Sequence, residues 1–293
     1  MKKLSGVITA LPTPFLENGS LDVDALEKFV DFQIENGVSA LLPVGTTGES
    51  PTLSHDEHAE VIRIVIKQAA GRVPVICGTG SNSTAEAVAL TKQAADDGAS
   101  YSLQVTPYYN KPSQEGLFRH FSAIADASPI PIILYNIAGR TGRNIETETV
   151  ARLAEHPNIV GIKEASGSLS QVTDVVYAVP EDFMIFSGDD GLTLPIIAVG
   201  GDGVISVASN IIPQAMVEMT AAALSGDFET ARKYNRKYSA LFKNLFIDTN
   251  PIPIKYALSK AGRMKEVYRL PLCPMNAQCK AVLDAVLKET EVI

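Results

Sequence analysis

The chain has 293 residues, 46% of them hydrophobic and 20% charged, with no tryptophan. Its 25 basic and 33 acidic side chains leave a net charge of −8 and no basic run, which argues against nucleic acid or an anionic membrane as partner. Apolar stretches such as Leu192 to Gly201 fall far short of the ~18 residues a spanning helix needs, so a soluble globular protein of one large domain or two is expected.

Met1-Lys2-Lys3 followed by Leu4 to Phe15 faintly imitates an export signal, but Pro12, Pro14 and Glu17 break up any apolar helix there. Cys77, Cys273 and Cys279 are odd in number and widely spaced, which fits a reducing cytoplasm better than a disulfide framework or a cysteine-based zinc site.

Gly6 to Thr13 is β-rich, and Asp22 to Asn36 then carries Ala25, Leu26, Phe29, Val30 and Phe32 at helical spacing, with Gly37 placed to stop the helix. Ala40 to Val44 is a strand; Gly45-Thr46-Thr47-Gly48-Glu49 follows, and Ser54 with Glu57 forms a capping box that opens the next helix. Val73 to Cys77 precedes a helix opened by Ser83 and Glu86, a second capping box. Tyr101 to Thr106 precedes a helix from about Ser113, and Pro131 to Tyr135 precedes one around Thr147 to Glu155. Ile159 to Ile162 runs into Lys163, with Ser168 and Gln171 opening the following helix; Phe183 to Phe186 and Gly203 to Val207 complete the strands, the last leading to a helix over Pro213 to Leu224. Eight consecutive β-α units point to an α/β fold, a closed (β/α)8 TIM barrel. After Ser225-Gly226-Asp227 the strand signal disappears. Phe228 to Phe246, Pro251 to Ala261 and Pro274 to Leu287 read as helices, so residues 1–224 are expected to form the barrel and 225–293 an all-helical C-terminal extension.

Barrel enzymes build their sites at the carboxyl ends of the strands. Those ends hold Thr46 and Thr47, Thr79, Tyr108 and Tyr109, Tyr135 and Asn136, Lys163, Asp189 and Asp190, and Ser206. Lys163 stands out because it ends an apolar strand buried on both faces. An ammonium so placed loses hydration, which favours the free amine, and a free amine attacks ketones to form Schiff bases. The plainer alternative pairs Lys163 with Glu164 or turns it to solvent. Lys255, the rival, lies in a helical segment where its stem should pack and its head reach water. Tyr135 ends the preceding strand and can pass protons, or simply pack; the hydroxyls and loop amides of Gly45-Thr46-Thr47-Gly48 suit a small carboxylate.

Phosphate-loop and dinucleotide fingerprints are absent. His55 and His58 form an i, i+3 pair without an evident third ligand, and Asp189-Asp190 is as ordinary at a barrel mouth as it is suited to Mg2+. No metal site is expected.

Together, Gly45-Thr46-Thr47-Gly48-Glu49-Ser50, Val105-Thr106-Pro107-Tyr108-Tyr109-Asn110-Lys111-Pro112, Tyr135-Asn136 through Gly139-Arg140-Thr141-Gly142, Gly161-Ile162-Lys163-Glu164-Ala165, Ser187-Gly188-Asp189-Asp190, Gly203-Val204-Ile205-Ser206 and Asn250-Pro251-Ile252-Pro253 resemble the dihydrodipicolinate synthase family over essentially the whole chain. The resemblance implies a pyruvate-dependent lyase of lysine biosynthesis that condenses pyruvate with L-aspartate 4-semialdehyde and needs no metal or organic cofactor. It implies Lys163 as the Schiff-base amine and Tyr135, Thr46 and Tyr109 as its proton relay, with Tyr109 reaching into the neighbouring subunit. Thr47 would hold the pyruvate carboxylate, Ile205 would line the site through its backbone, Gly188 belongs to the substrate-binding set, and Arg140 would clamp the carboxylate of the second substrate. L-lysine as inhibitor would bind Ser50, His55, His58, Asn82, Glu86 and Tyr108 at a tight-dimer interface. A homotetramer built as a dimer of dimers is expected, with a dimer as the alternative.

Other readings stay open: a sister aldolase such as N-acetylneuraminate lyase, which lacks the Gly-Arg-Thr-Gly string, or a non-catalytic lysine-binding sensor. Two departures stand out. Ala138 replaces the usual proline, which is expected to free the backbone ahead of Arg140, and Tyr101-Ser102-Leu103-Gln104 is bulkier and more polar than the family's usual fourth strand.

Overall fold

In a computed structural model that describes residues 3–293, the alternating signals of the sequence become eight parallel strands and the helices between and after them. Met1 and Lys2, where the export-signal reading begins, lie outside the described residues. In chain order the elements are β1 (Gly6–Ala10), α1 (Val23–Glu35), β2 (Ala40–Leu42), α2 (His55–Ala69), β3 (Ile76–Gly78), α3 (Thr84–Asp96), β4 (Tyr101–Val105), α4 (Gln114–Ala127), β5 (Ile132–Asn136), α5 (Ala138–Thr141), α6 (Thr147–Ala154), β6 (Ile159–Glu164), α7 (Leu169–Ala178), β7 (Met184–Ser187), α8 (Thr193–Ala198), β8 (Gly203–Ser206), α9 (Pro213–Leu224), α10 (Phe228–Asn244), α11 (Ile252–Lys260) and α12 (Ala277–Glu289).

Strand neighbours run β2-β1-β8-β7-β6-β5-β4-β3, and a parallel bridge between Leu41 and Val75 brings the two ends together into the expected barrel. Two short helices, α5 and α8, were not legible in the sequence; α8 lies within an apolar stretch with no polar face to mark a helical period. The third strand falls later than Val73 to Cys77, and α12 starts at Ala277 because Asn276, not Pro274, caps it by accepting from the Cys279 N–H.

Alternation along the strands sorts the apolar residues into layers. Ile8, Leu42, Ile76, Leu103, Ile133, Tyr135, Phe186 and Ile205 fill the barrel interior, while Ile132, Leu134 and Ile162 face outward against α4, α6 and α7. On the other flank Val7, Leu41 and Val204 share one core with Leu241, Ile252, Leu258 and Leu283 of the C-terminal helices. Each such Leu or Ile, fully buried, stabilises by about 1.5–3 kcal/mol relative to exposure.

The polar fourth strand is absorbed rather than disruptive. Gln104 Nε2 sits 2.7–2.9 Å from the hydroxyls of Ser102, Thr79 and Thr91, and Thr79 is hydrogen-bonded to both of the others, at 2.8 and 2.9 Å. These fully buried groups tie β4 to α3 through the Gln104 amide nitrogen and the three hydroxyls, while Gln104 Oε1 is buried without a partner.

Candidate active site

Lys163 follows Ile162 in β6 and so points inward, beside its register partner Tyr135 on β5. It is 6% exposed, and its Nζ lies 4.3 Å from the centroid of the Tyr135 ring. Glu164 does not pair with it. That carboxylate faces the other side of the strand, where it accepts from Ser166 N–H (2.7 Å), Asn136 Nδ2 (3.2 Å) and Gln171 Nε2 (3.4 Å). Burial pushes the Glu164 carboxyl above its ordinary range although these bonds favour the charged form. Gly188, after β7, gives Lys163 its room: a Cβ there would meet Ala165 Cβ at 2.6 Å and Lys163 Cε at 3.1 Å.

The Gly45–Glu49 loop turns tightly at the end of β2. Val44 and Glu49 bracket it with φ of 50° and 54°, a conformation that costs on the order of 1–3 kcal/mol for such residues. Thr13 Oγ1 pins the loop by donating to the Gly48 carbonyl at 2.6 Å. The far C-terminal segment pins it twice more: Asn250 Nδ2 donates to Thr47 Oγ1 (3.0 Å), and Lys255 Nζ meets Glu49 Oε1 (2.5 Å) and the Thr13 carbonyl (3.0 Å).

The expectation that Lys255 reaches water is therefore corrected, because its head is completely buried against a carboxylate 206 residues away. Desolvation pulls the Lys255 amine below its ordinary value and Glu49 opposes that pull. Arg269 completes the tie. Its backbone N–H donates to Glu49, and its guanidinium donates to the Gly19 and Thr52 carbonyls and to both oxygens of Glu57 at 2.6 and 2.8 Å, which holds the Glu57 carboxyl down at about 2.

Arg140 sits on α5, exposed, with Nη2 donating to the Asn250 carbonyl at 3.1 Å. The turn holds without proline: the N–H groups of Arg140 and Thr141 and the Thr141 hydroxyl all donate to the Ile137 carbonyl, and Gly142 N–H donates to Ala138.

A cavity of about 430 Å3 opens over the barrel and brings together Thr46, Thr47, Tyr135, Arg140, Lys163 and Gly188. The same cavity takes in Ser50, His55, His58, Glu86 and Tyr108. His55 Nε2 lies 3.0 Å from Glu86 Oε1, Ser81 donates to the other Glu86 oxygen, and His58 Nε2 donates to the Gly78 carbonyl at 2.9 Å. Burial lowers the His58 proton affinity and raises that of the Tyr108 hydroxyl, with the Glu86 charge adding to the latter.

The second capping box is corrected here. Ser83 accepts from Glu86 N–H as expected, but the Glu86 carboxylate has turned to His55 and Ser81 instead of returning to the cap. The Ser54–Glu57 box is complete.

Three expected residues lie off the cavity wall. Ile205 is buried with its side chain in the barrel interior, and Val207 takes the wall position near it. Asn82 donates to the Tyr108 carbonyl at 3.2 Å, bracing that loop from behind. Tyr109 is 91% exposed and has a backbone φ of 70°.

Asn250, the Glu49–Lys255 pair and Arg269 had no assigned role in the sequence. Asn250 and Glu49 carried a signal as members of Asn250-Pro251-Ile252-Pro253 and Gly45-Thr46-Thr47-Gly48-Glu49-Ser50, and Lys255 only as the rival to Lys163. The Asp189-Asp190 pair does not gather for a cation: Asp190 accepts from Ser206 Oγ (2.5 Å) and from the N–H groups of Val207 and Ala208, while Asp189 accepts from Gly191 N–H. Among the described residues no three His, Cys, Asp or Glu side chains cluster as for a metal ion, and no helix is long and apolar enough to cross a membrane.

Comparison with known proteins gives one answer. The family model of the dihydrodipicolinate synthetase family matches residues 3–290. The chain is 53% identical over 288 residues to a 4-hydroxy-tetrahydrodipicolinate synthase of Geobacter sulfurreducens, covering 98% of this chain and 99% of that one. It superposes with a TM-score of 0.97 and 46% identity on the dihydrodipicolinate synthase of Acinetobacter baumannii complexed with pyruvate, over 99% of this chain and 100% of that one. The lysine-bound enzyme of Cyanidioschyzon merolae gives a TM-score of 0.97 at 44% identity over 100% of both chains. With barrel, buried lysine and cavity in place and the match running the length of the chain, the protein belongs to the dihydrodipicolinate synthetase family of enzymes.

Proposed function

We propose that this enzyme condenses pyruvate with L-aspartate 4-semialdehyde to give 4-hydroxy-tetrahydrodipicolinate, the step that commits carbon to lysine. The observation that carries the reading is Lys163, a nearly buried amine with no carboxylate partner among the described residues, at the floor of a cavity that also presents hydroxyls and a guanidinium. The Lys163 amine adds to the ketone carbon of pyruvate, and the carbinolamine loses water to form the Schiff base. Tyr135 and Thr46, both on the wall, move the protons of dehydration and of enamine formation. Thr47 holds the pyruvate carboxylate and Arg140 that of the semialdehyde. The enamine carbon attacks the aldehyde, and the substrate amine then displaces Lys163 as the ring closes.

Tyr109, held out of its own cavity, supports an assembly in which it completes the relay of a second copy, and a homotetramer of two such dimers is the form we favour. Ile205 would contribute through its backbone and Gly188 through the space it leaves. The division at residue 224 assigns the chemistry to the barrel and its bracing to residues 225–293. Free thiols at Cys77, Cys273 and Cys279 support a cytoplasmic enzyme.

Ser50, His55, His58, Asn82, Glu86 and Tyr108 form the proposed inhibitory site for L-lysine, with the Glu86 carboxylate, now engaged by His55 and Ser81, as the acceptor for an ammonium group. Borohydride reduction in the presence of pyruvate is expected to add its mass to Lys163, and Lys163→Ala to abolish both trapping and turnover; a mass on Lys255 or on no lysine overturns the mechanism. Millimolar L-lysine is expected to slow initial rates, and Glu86→Ala to relieve that inhibition. Unchanged initial rates with the wild-type enzyme set the regulatory reading aside.

A further inference from the structure

We propose that Asn250 is a positioning residue that fixes the direction of the Thr47 hydroxyl proton and thereby the capture of the pyruvate carboxylate; the inference rests on the pyruvate reading above. Asn250 Nδ2 donates to Thr47 Oγ1 at 3.0 Å across 203 residues of chain, and the two residues are only 5% and 3% exposed. A hydroxyl has one proton and two lone pairs. With a lone pair taken by an amide N–H, the single proton of Thr47 points away from Asn250 and stays available to a ligand. A carboxylate accepts and never donates, so it needs Thr47 in this state.

The opposite orientation of the amide is disfavoured. It would place both amide N–H donors at the buried position where Asn250 Oδ1 now lacks a partner, and leave neither of them on Thr47. Asn250 is itself held in place, because the contact between residues 47 and 250 is followed by a second rung between the same segments, Glu49 to Lys255.

Asn250 grips the two carboxylate-binding groups by different atoms. Its side chain holds Thr47, whereas its main-chain carbonyl accepts from Arg140 Nη2 at 3.1 Å. A side-chain substitution at 250 therefore acts on the pyruvate end and spares the Arg140 end.

Asn250→Asp is the discriminating variant, since a carboxylate at this position accepts from Thr47 and turns its proton away from the ligand. Steady-state kinetics in both substrates, borohydride trapping against pyruvate concentration, and thermal unfolding are measured for wild type, Asn250→Asp, Thr47→Val and the double variant. We expect Asn250→Asp to raise KM for pyruvate about tenfold or more, the loss of one charge-assisted hydrogen bond. The expected kcat and KM for the semialdehyde stay within about threefold of wild type, and the double variant matches Thr47→Val alone. Should Asn250→Asp fail to fold, Asn250→Ala is read the same way, with a rise of about threefold because Thr47 is then free to rotate. Equal rises in both KM values, no rise, or full additivity with Thr47→Val overturns the proposal while trapping on Lys163 leaves the functional reading standing. A wild-type enzyme that is not trapped on Lys163 removes both.

Discussion

Lys163 Nζ rests 4.3 Å from the centroid of the Tyr135 ring, and the two residues are register partners on adjacent parallel strands. The tyrosine therefore offers the amine a π face for any cationic form, and the proposed mechanism also gives its hydroxyl a part in proton transfer. Tyr135→Phe separates them. It is expected to lower kcat by about 10²–10⁴, the range for a lost general acid–base group, while pyruvate can still be trapped on Lys163 at a slower rate. A variant with unchanged kcat would reduce Tyr135 to a packing residue.

Gly188→Ala tests how closely the amine is confined. A methyl group at this position collides with Ala165 Cβ at 2.6 Å and crowds Lys163 Cε at 3.1 Å, so the lysine stem must move. Single-turnover trapping with pyruvate is expected to slow at least about tenfold, since misplacement of a reacting group by about 1 Å can cost 10²-fold in rate. Circular dichroism should remain that of the wild type.

Lys255→Met removes one half of a fully buried ion pair and leaves Glu49 without its cation. Destabilisation of about 3–5 kcal/mol is expected in urea unfolding, because an uncompensated buried charge remains. In Lys255→Met/Glu49→Gln the loss should be smaller than the sum of the two single losses, which a double-mutant cycle measures directly. Full additivity would mean that the pair is not coupled.

Asp190 predicts a pH dependence of the opposite sign to an ordinary paired carboxylate. Burial pushes its carboxyl from 3.8 up to about 6, against the pull of Ser206, Val207 and Ala208. The folded state thus holds the proton more tightly than the unfolded one. Its contribution is largest below about pH 4 and is lost as pH rises through about 6, by on the order of 3 kcal/mol. Asp190→Asn, which keeps an acceptor for a loop N–H, should flatten the slope of unfolding free energy between pH 4 and 6 and be at least as stable as wild type at pH 8. Glu57 behaves conventionally: held at about 2 by Arg269, it adds stability above its ordinary value of 4.5 that disappears on acidification toward 2.

The barrel was legible because each of its strands is a short apolar run followed by turn residues and a capped helix, all of it local information. Lys163 was legible for the same reason, as a charge at the end of a buried run. Lys255 was misread because the local pattern, a lysine between Ile254 and Tyr256 in a helix, is identical for a head in water and a head on Glu49; only the tertiary partner decides. The Glu86 side chain obeyed the same rule, leaving a cap that sequence spacing favoured for a histidine on the neighbouring helix. Gln104 looked like a packing anomaly until Thr79 and Thr91, from other elements, supplied its partners.

The ties between the threonine loop and the last quarter of the chain also set an order of assembly. Thr47 waits for Asn250, Glu49 for Lys255 and Glu57 for Arg269, separations of 203, 206 and 212 residues. During translation all eight strands emerge before any of these partners, so Lys163 and the Gly45–Glu49 loop are both made before the residues that brace that loop. The rim of the cavity is finished by the segment synthesised last, and a chain that ends before Asn250 lacks all three ties.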